Sequence, residues 1–598
     1  MAEVTLTLAE AMKRAFAAYG RGQFGEAERL ARTIISIEPD HLEALHLVAV
    51  IDAQQRRLDQ ALAGCDRVLA LRPDHVDALN SRGLVLHQLQ RFGEALASYD
   101  GALALRPDYA PAHYNRGVTL QQLRRFEQAL ASYDRALALR PDDADALSNR
   151  GVTLHELQRF DAALASYDGA LAVRPDHAEA LNNRGVTLHQ LHRFEAALAS
   201  YDQALAVRPD YAEALSNRGA TLHQLHRFED ALASHDRALA ARPDYAEALS
   251  NRGNTLQELH RFEAALASYD RALAVQPDYA EAHFNKSLLL LLKGDFAAGW
   301  RGYEWRWKNP NLKLSQPDFA QPLWLGEVAI AGKTILLHSE QGFGDTIQFC
   351  RYAPLVAARG ARVLLDVPAP LNDLMASLAG VAELISAKDL RPHFDLHCPL
   401  HSLPLALGTR IETFPAHVPY LAAPTQNLRR WSATLGSKHR LRVGLAWSGA
   451  PTHRNDANRS IKLHSLRPLL DLDAAFVSLQ KDVRTGDAAV LQDCSALVHF
   501  ADELETFADA AAVIASLDLV ISVDTSVAHL AGALAKPVWV LLPFVPDFRW
   551  LLDREDSPWY PTARLFRQPA PGDWSGVISR VVTELEKLLH VHGERASA

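Results

Sequence analysis

Three segments, far apart in the chain, carry residues suited to holding and acting on an anionic ligand. The first is 518–543, DLVISVDTSVAHLAGALAKPVWVLLP. Residues 519–523 are a short, apolar, β-branched run, which reads as a buried parallel strand. It ends on Asp524. Thr525 and Ser526 are good N-cap residues. The helix they open places Ala528, Ala531, Gly532 and Ala535 on one face, so it can lie close against a sheet. Pro537 ends that helix, and 538–542 is the next strand. A strand, a tight turn and a helix N-terminus together attract anions, because the first backbone N–H groups are unpaired and the dipole is positive there. Asp524 and His529 flank this turn, and in an open α/β sheet such turns are where ligands bind. The second segment is 339–345, SEQGFGD, in which Gly342 and Gly344 let a loop turn tightly beside a ligand. Asp345 stands at a helix N-terminus, where a carboxylate is also a good cap. The third, 448–462, SGAPTHRNDANRSIK, is a long polar loop carrying the cationic side chains His453, Arg454, Arg459 and Lys462. A merely solvated basic loop has the same composition.

The elements around these segments alternate. A strand at 335–338 precedes the glycine loop, a helix at 346–359 follows it, and further strands are expected at 363–367, 396–400 and 420–421. A second set is expected at 442–447, 476–479, 497–500, 519–523 and 538–542. Strands alternating with helices give parallel sheets. A polar helical stretch separates the two lobes, and a last helix over 574–590 is expected to cross back and brace the first lobe. Gln480 and Lys481 follow a strand and are placed to line a pocket. In the aromatic, proline-rich stretch 543–561, Trp550 and Trp559 either stack a ligand ring or pack between lobes. Asp471 and Asp473 imitate a metal-binding pair but precede a strand instead of closing one, so no metal is expected.

A repeat array stands in front. Proline recurs every 34 residues, at Pro39, Pro73, Pro107, Pro141, Pro175, Pro209, Pro243 and Pro277. Glycine (Gly83 to Gly253), phenylalanine (Phe92 to Phe262) and alanine (Ala95 to Ala265) keep the same period. This resembles the tetratricopeptide repeat. Each unit reads as two amphipathic helices, and stacked units form a superhelix with a concave groove. There are about eight repeats and a truncated ninth at 279–307, where Ser287 stands in the glycine register and Gly299 in the alanine register and which either caps the array or joins it to the next domain. A ladder of Asn115, Asn149, Asn183, Asn217, Asn251 and Asn285 occupies the position that faces the groove in such repeats. Asparagine offers both donor and acceptor, matching a peptide backbone without reading its sequence. Duplication of near-identical repeats would copy any residue in the same way. His87, His155, His189 and His223 read as duplicated helix-surface residues and not as metal ligands.

VDTSVAHLAGALAKP resembles the donor-site motif of the ADP-heptose transferases of lipopolysaccharide synthesis, and GFGD at 342–345 is similar to their N-lobe glycine–aspartate motif. With the repeats in front, the chain resembles bacterial TPR glycosyltransferases, an arrangement that parallels O-GlcNAc transferase, where a similar asparagine ladder holds substrate peptide. The resemblance implies an α-helical TPR superhelix followed by an α/β GT-B type double-Rossmann domain. The expected boundaries are 1–307 for the repeats, 308–330 for a connector, 331–425 and 441–572 for the two lobes, 426–440 for the linker between them, and 573–598 for a C-terminal helix and tail. It also implies inverting, metal-independent transfer from a nucleotide-sugar co-substrate, with no other cofactor, to a protein Ser or Thr. Asp345 would be the general base and Gly344 would lie beside the donor. Arg459 and Lys462 would meet the phosphates, Gln480 and Lys481 the nucleotide, and Asp524 the donor hydroxyls. Thr525, Ser526 and His529 would sit by the diphosphate. Some members of that group modify flagellin. The alternatives are a binding scaffold with an inactive transferase domain, and transfer to a glycan or lipid-linked sugar. A large array favours a protein acceptor, since a small glycan does not need it.

Composition sets the outer limits. At 598 residues the chain is too long for one core. A net charge of -9 argues against nucleic acid as a partner. Cys65, Cys350, Cys398 and Cys494 are scattered, with no zinc or disulfide spacing. The first residues lack a signal-peptide apolar core, and the leucine run 288–292 is too short to span a membrane. A cytoplasmic location is the expectation.

Overall fold

The computed structural model describes residues 7–385, 392–453, 455–500 and 503–597. By internal contacts the chain forms two compact units, Met1–Asn251 and Arg252–Ala598.

The first unit is helix pairs stacked in sequence, each a 13-residue first helix followed by one of 14 residues, as in Ala178–Gln190 and Phe194–Val207. The repeating glycine has a steric cause. A Cβ on Gly83, Gly151 or Gly185 would lie 2.5 Å from the ring of Tyr99, Tyr167 or Tyr201, which is buried beneath it. The turn inside each pair needs a left-handed residue. Gln90, Arg124, Gln158, His192 and His226 adopt φ of 56–59° there, whereas Gly22 fills the position in the first pair. Adjacent pairs are tied by a ladder of arginines. Arg116 donates from Nε to Asp100 of the preceding pair (2.7 Å) and from Nη1 to Ser132 of its own (2.8 Å), and Arg150, Arg184 and Arg218 repeat this.

The second unit holds the last repeat helices and two parallel sheets. In the first sheet, β1 (Thr334–His338), β2 (Arg362–Asp366), β3 (Val381–Ile385) and β4 (Leu396–Pro399) are ordered β3-β2-β1-β4. The second runs β10-β9-β8-β5-β6-β7, from β5 (Arg442–Ala446), β6 (Ala475–Ser478), β7 (Leu497–His499), β8 (Leu519–Val523), β9 (Val538–Leu542) and β10 (Ala563–Arg567). In each sheet the winding reverses beside the first strand. A crevice therefore opens at the carboxyl ends of β1 and β4, and another at those of β5 and β8.

Several elements differ from the sequence reading. β3 and β10 are edge strands with charged residues in their pattern, too polar to read as buried strands. Residues 420–421 form no strand; the N–H groups of Tyr420 and Leu421 donate to the Ala533 carbonyl. The helix expected at 346–359 is broken into Phe343–Phe349, a 3-10 turn at Cys350–Tyr352 and Ala353–Ala358, because Pro354 has no N–H to continue the ladder. The last helix, Trp574–Ser597, braces the second sheet and not the first: Val577, Ile578, Val581 and Leu585 are buried in one core with Val443, Leu445 and Phe476. Its apolar stripe finds the nearest open sheet face. The ninth pair, Ala280–Leu292 and Phe296–Tyr303, joins the α/β part instead of capping the array. Trp300 is buried, with ring contacts to Phe349 (6.0 Å) and Phe548 (5.6 Å).

Candidate functional site

The two crevices face each other. The loop after β1 brings Asp345 to the third position of the Phe343–Phe349 helix, and the turn after β8 opens the Ser526–Ala533 helix. Their closest approach is at Gly344, where a Cβ would lie 3.1 Å from the His529 ring and 3.3 Å from the Ser526 Cα. A Cβ there would crowd both, so glycine lets the two turns meet this closely.

Asp345 divides its carboxylate. Oδ2 accepts from the Gly342 N–H (3.0 Å), capping its own helix, while Oδ1 pairs with Arg549 and lies 3.5 Å from His401 Nε2. Burial opposes its charge, but Arg549 and then His401 outweigh burial and hold the carboxyl well below the usual range. Arg549 is itself buried, and it donates to Gln348 Oε1 (2.6 Å) and Asp547 Oδ1 (2.7 Å).

Across the crevice, Asp524 is 8% exposed, and burial and then Asp547 push its carboxyl up to about 6, against the pull of Arg549 and Arg459. His529 is pushed down to about 3, first by burial and then by Arg549, so it is neutral. Its Nδ1 meets the Tyr560 hydroxyl at 3.0 Å, and its Nε2 is 3.8 Å from Asp524 Oδ1. Gly532 makes this possible, because a Cβ there would clash with the Tyr560 ring. Thr525 caps the helix, accepting from the Val527 N–H at 3.3 Å. Arg459 donates to the Asp524 carbonyl (2.8 Å) and lies against Gly449. Ser448 is 4% exposed and its hydroxyl has no partner among the described residues. An anion at this helix N-terminus would find Arg459 beside it.

The other sequence-stated residues fall variously. Gln480 is spent inside the fold: it accepts from the Trp447 and Ser448 N–H groups (3.2 and 3.1 Å) and donates to the Ser448 and Asp482 carbonyls. Lys481 donates to the Glu505 carbonyl at 3.0 Å. Lys462 and His453 are exposed, and Arg454 lies outside the described residues. Trp550 and Trp559 are fully buried; Trp550 stacks on His529 and Trp559 packs against Phe414, so of the two readings both residues take packing. Asp473 is exposed and pairs with Arg440 at 3.1 Å. In the array, the asparagines are half-buried and spend a donor within it: Asn115 donates to Asn80, Asn149 to the Tyr114 hydroxyl, Asn217 to Asn182 and Asn285 to Asn254, each at 3.0 Å, while Asn183 accepts from Asn182 at 3.2 Å. Asn251 is half-buried in the same register. His87, His155 and His189 are not free surface copies; each bonds the threonine of the next repeat at 2.8–2.9 Å.

Sequence reasoning missed Arg549, Asp547, His401, Glu340 and Tyr560. Asp547 and Arg549 stand two apart in the 543–561 stretch, where the tryptophans drew attention. No spacing points to His401, which reaches Asp345 only because β4 lies beside β1.

These two parts, a TPR array and an α/β part with paired parallel sheets, match known families to different extents. Tetratricopeptide repeat families match residues 18–82, 83–124, 110–143, 142–210 and 210–278. Glycosyltransferase family 9 (heptosyltransferase) matches 494–541, which runs from β7 to β9 and includes Asp524 and His529. Protein FlbA of Caulobacter vibrioides is 27% identical over 330 residues, 50% of this chain and 54% of its own, so the chain spans about half the length of that curated relative. Among solved structures, the TPR protein YrrB is 25% identical, covering 32% of this chain and 98% of its own with a TM-score of 0.27. The Cut9–Hcn1 assembly of the APC/C is 16% identical, covering 47% and 55% with a TM-score of 0.38. Overlaps at these scores carry no argument about activity.

Proposed function

We propose that this chain is a glycosyltransferase that moves a sugar from a nucleotide-sugar donor to a Ser or Thr of a protein held by the repeat groove. The observation that carries the reading is the meeting of the Asp345 loop and the Asp524–His529 turn at two switch-point crevices, the second of them in a segment similar to heptosyltransferases. The strand orders suit a GT-B arrangement of two Rossmann-like lobes. In this reading the donor diphosphate lies at the Ser526 helix N-terminus, beside Arg459 and Lys462, with Asp524 toward the sugar. Asp345 takes the proton of the acceptor hydroxyl as its oxygen attacks the anomeric carbon, and the nucleoside diphosphate leaves. A carboxylate so strongly paired is a weak base. Arg549 turning toward the incoming diphosphate would loosen that pair and raise its basicity. Inversion without a metal, a cytoplasmic setting and flagellin as one acceptor follow the resemblance alone. In the asparagine ladder, Asn115, Asn149, Asn217 and Asn285 would meet a peptide backbone through their carbonyl oxygens.

The test is a thermal-shift screen of the full chain with UDP-, GDP-, ADP- and CMP-sugars, with Asp524→Ala and Lys462→Ala as controls. A shift with one nucleotide class, lost in both variants, is expected. Well-folded protein that shifts with none of them would favour a binding scaffold.

A further inference from the structure

We infer that the truncated ninth repeat is a working part of the transfer site: Tyr303 and Arg306 are positioning residues that act on Asp345 through Glu340, Gln341 and His401. This rests on the reading of Asp345 as the base. Every polar side chain of the 339–345 loop nearest Asp345 is held from that repeat or by His401. Gln341 Nε2 donates to the Tyr303 hydroxyl at 3.0 Å. Arg306 is completely buried, a place an arginine takes only when paired. It donates to Glu304 (2.6 Å), Ser402 (2.7 Å) and Glu340 Oε1 (3.0 Å).

Glu340 passes the contact on. Its Oε1 lies 3.1 Å from His401 Nδ1, and the other ring nitrogen of His401 is 3.5 Å from Asp345 Oδ1. The Tyr303 ring stacks on His401 at 6.0 Å and 11°, and Phe349 covers it at 4.6 Å. His401 is thus held between two carboxylates under two aromatic rings, one of which, Tyr303, belongs to the repeat. Burial lowers its basicity, but Glu340 and Asp345 raise it further, so the ring is held cationic. Burial would also neutralise Glu340, yet His401 and Arg306 keep it ionised. The charges alternate from Arg306 through Glu340 and His401 to Asp345, and Arg549 closes the far side.

The consequence has a sign. Glu340→Gln removes the partner that keeps His401 charged. Asp345 then loses a cation, and its carboxyl rises. The acid limb of the kcat–pH profile should move up by about one unit, kcat on that limb should fall about tenfold with little change at neutral pH, and the donor KM should stay within about twofold. Arg306→Met should move the limb the same way, whereas Arg306→Lys should restore part of it. Ser402→Ala should leave the limb in place, since it removes only a neutral neighbour of Arg306.

The experiment is the pH profile of donor turnover by the full chain and these variants, together with the titration of the His401 ring by NMR, assigned with His401→Gln. The expected result is an acid limb and a His401 titration that both move in Glu340→Gln and Arg306→Met. A His401 that titrates identically in all variants, or a Glu340→Gln enzyme with an unmoved acid limb, would overturn the inference. If the wild type turns over no donor, the transferase reading falls, and the His401 titration still decides whether the relay from the repeat exists.

Discussion

The repeat array and the α/β site solve the same problem, the burial of polar groups, in opposite ways. In the array the same polar contacts recur from repeat to repeat: Arg184 takes Asp168 and Ser200, Arg218 takes Asp202 and Ser234, and His189 takes Thr221. Any one link is half-exposed and replaceable. At the site nothing repeats. Arg549 gathers Asp345, Asp547 and Gln348, which come from both sheets, and it has no stand-in. A periodic network spreads its risk. A single-copy network concentrates charge where chemistry needs it, and loses most when one member goes.

The largest test of that contrast removes one arginine from each region. Arg549→Met strands two carboxylates in a crowded crevice and should cost about 3 kcal/mol, as seen by denaturant unfolding, whereas Arg184→Met should cost about 0.5 kcal/mol because its partners are half in water. Equal losses would break the comparison. The next acts through pH. Asp524 sits near 6 when folded, above its unfolded value, so the stability it contributes is intact at low pH and is lost as pH rises through 6. Asp524→Asn should therefore be stabler than the wild type at pH 8, by at most about 3 kcal/mol, with little change at pH 4, while donor binding is lost. A variant no stabler at pH 8 would show that Asp524 is not held against its charge.

Glycine sharpens the comparison further. Gly151→Ala and Gly532→Ala both drive a methyl into an aromatic ring and should each cost about 1–3 kcal/mol. Only the second should weaken donor binding, because the Tyr560 it displaces orients His529. Smallest are the turn residues. Gln90→Gly and Gln158→Gly replace left-handed residues with the type Gly22 already supplies there, and each should add about 0.5 kcal/mol, additively, in thermal unfolding.

The same contrast explains what could be read from the chain. The array was legible because period reveals partners: the glycine register, the paired helices and the close of each second helix at proline all follow from 34-residue copies. The strands around Asp524 were legible because they are buried, apolar and short. The edge strands were not, since Glu383, Arg564 and Arg567 interrupt the apolar pattern. Within the site, the glycines and aspartates announced themselves through turn chemistry. Arg549 and His401 did not, because their meaning comes from distances across strand order, 204 residues from Asp345 in one case. The asparagine and histidine ladders were visible, but the bonds they spend inside the array were not, as these depend on how far one repeat rotates on the next.

The central claim is that the two facing turns hold the donor, and hydrogen–deuterium exchange of the full chain with and without the nucleotide-sugar that binds tests it most directly. The account predicts slowed exchange at 339–345, 448–462 and 524–529, abolished in Asp524→Ala. Protection confined to other segments, or unchanged in that variant, would contradict it.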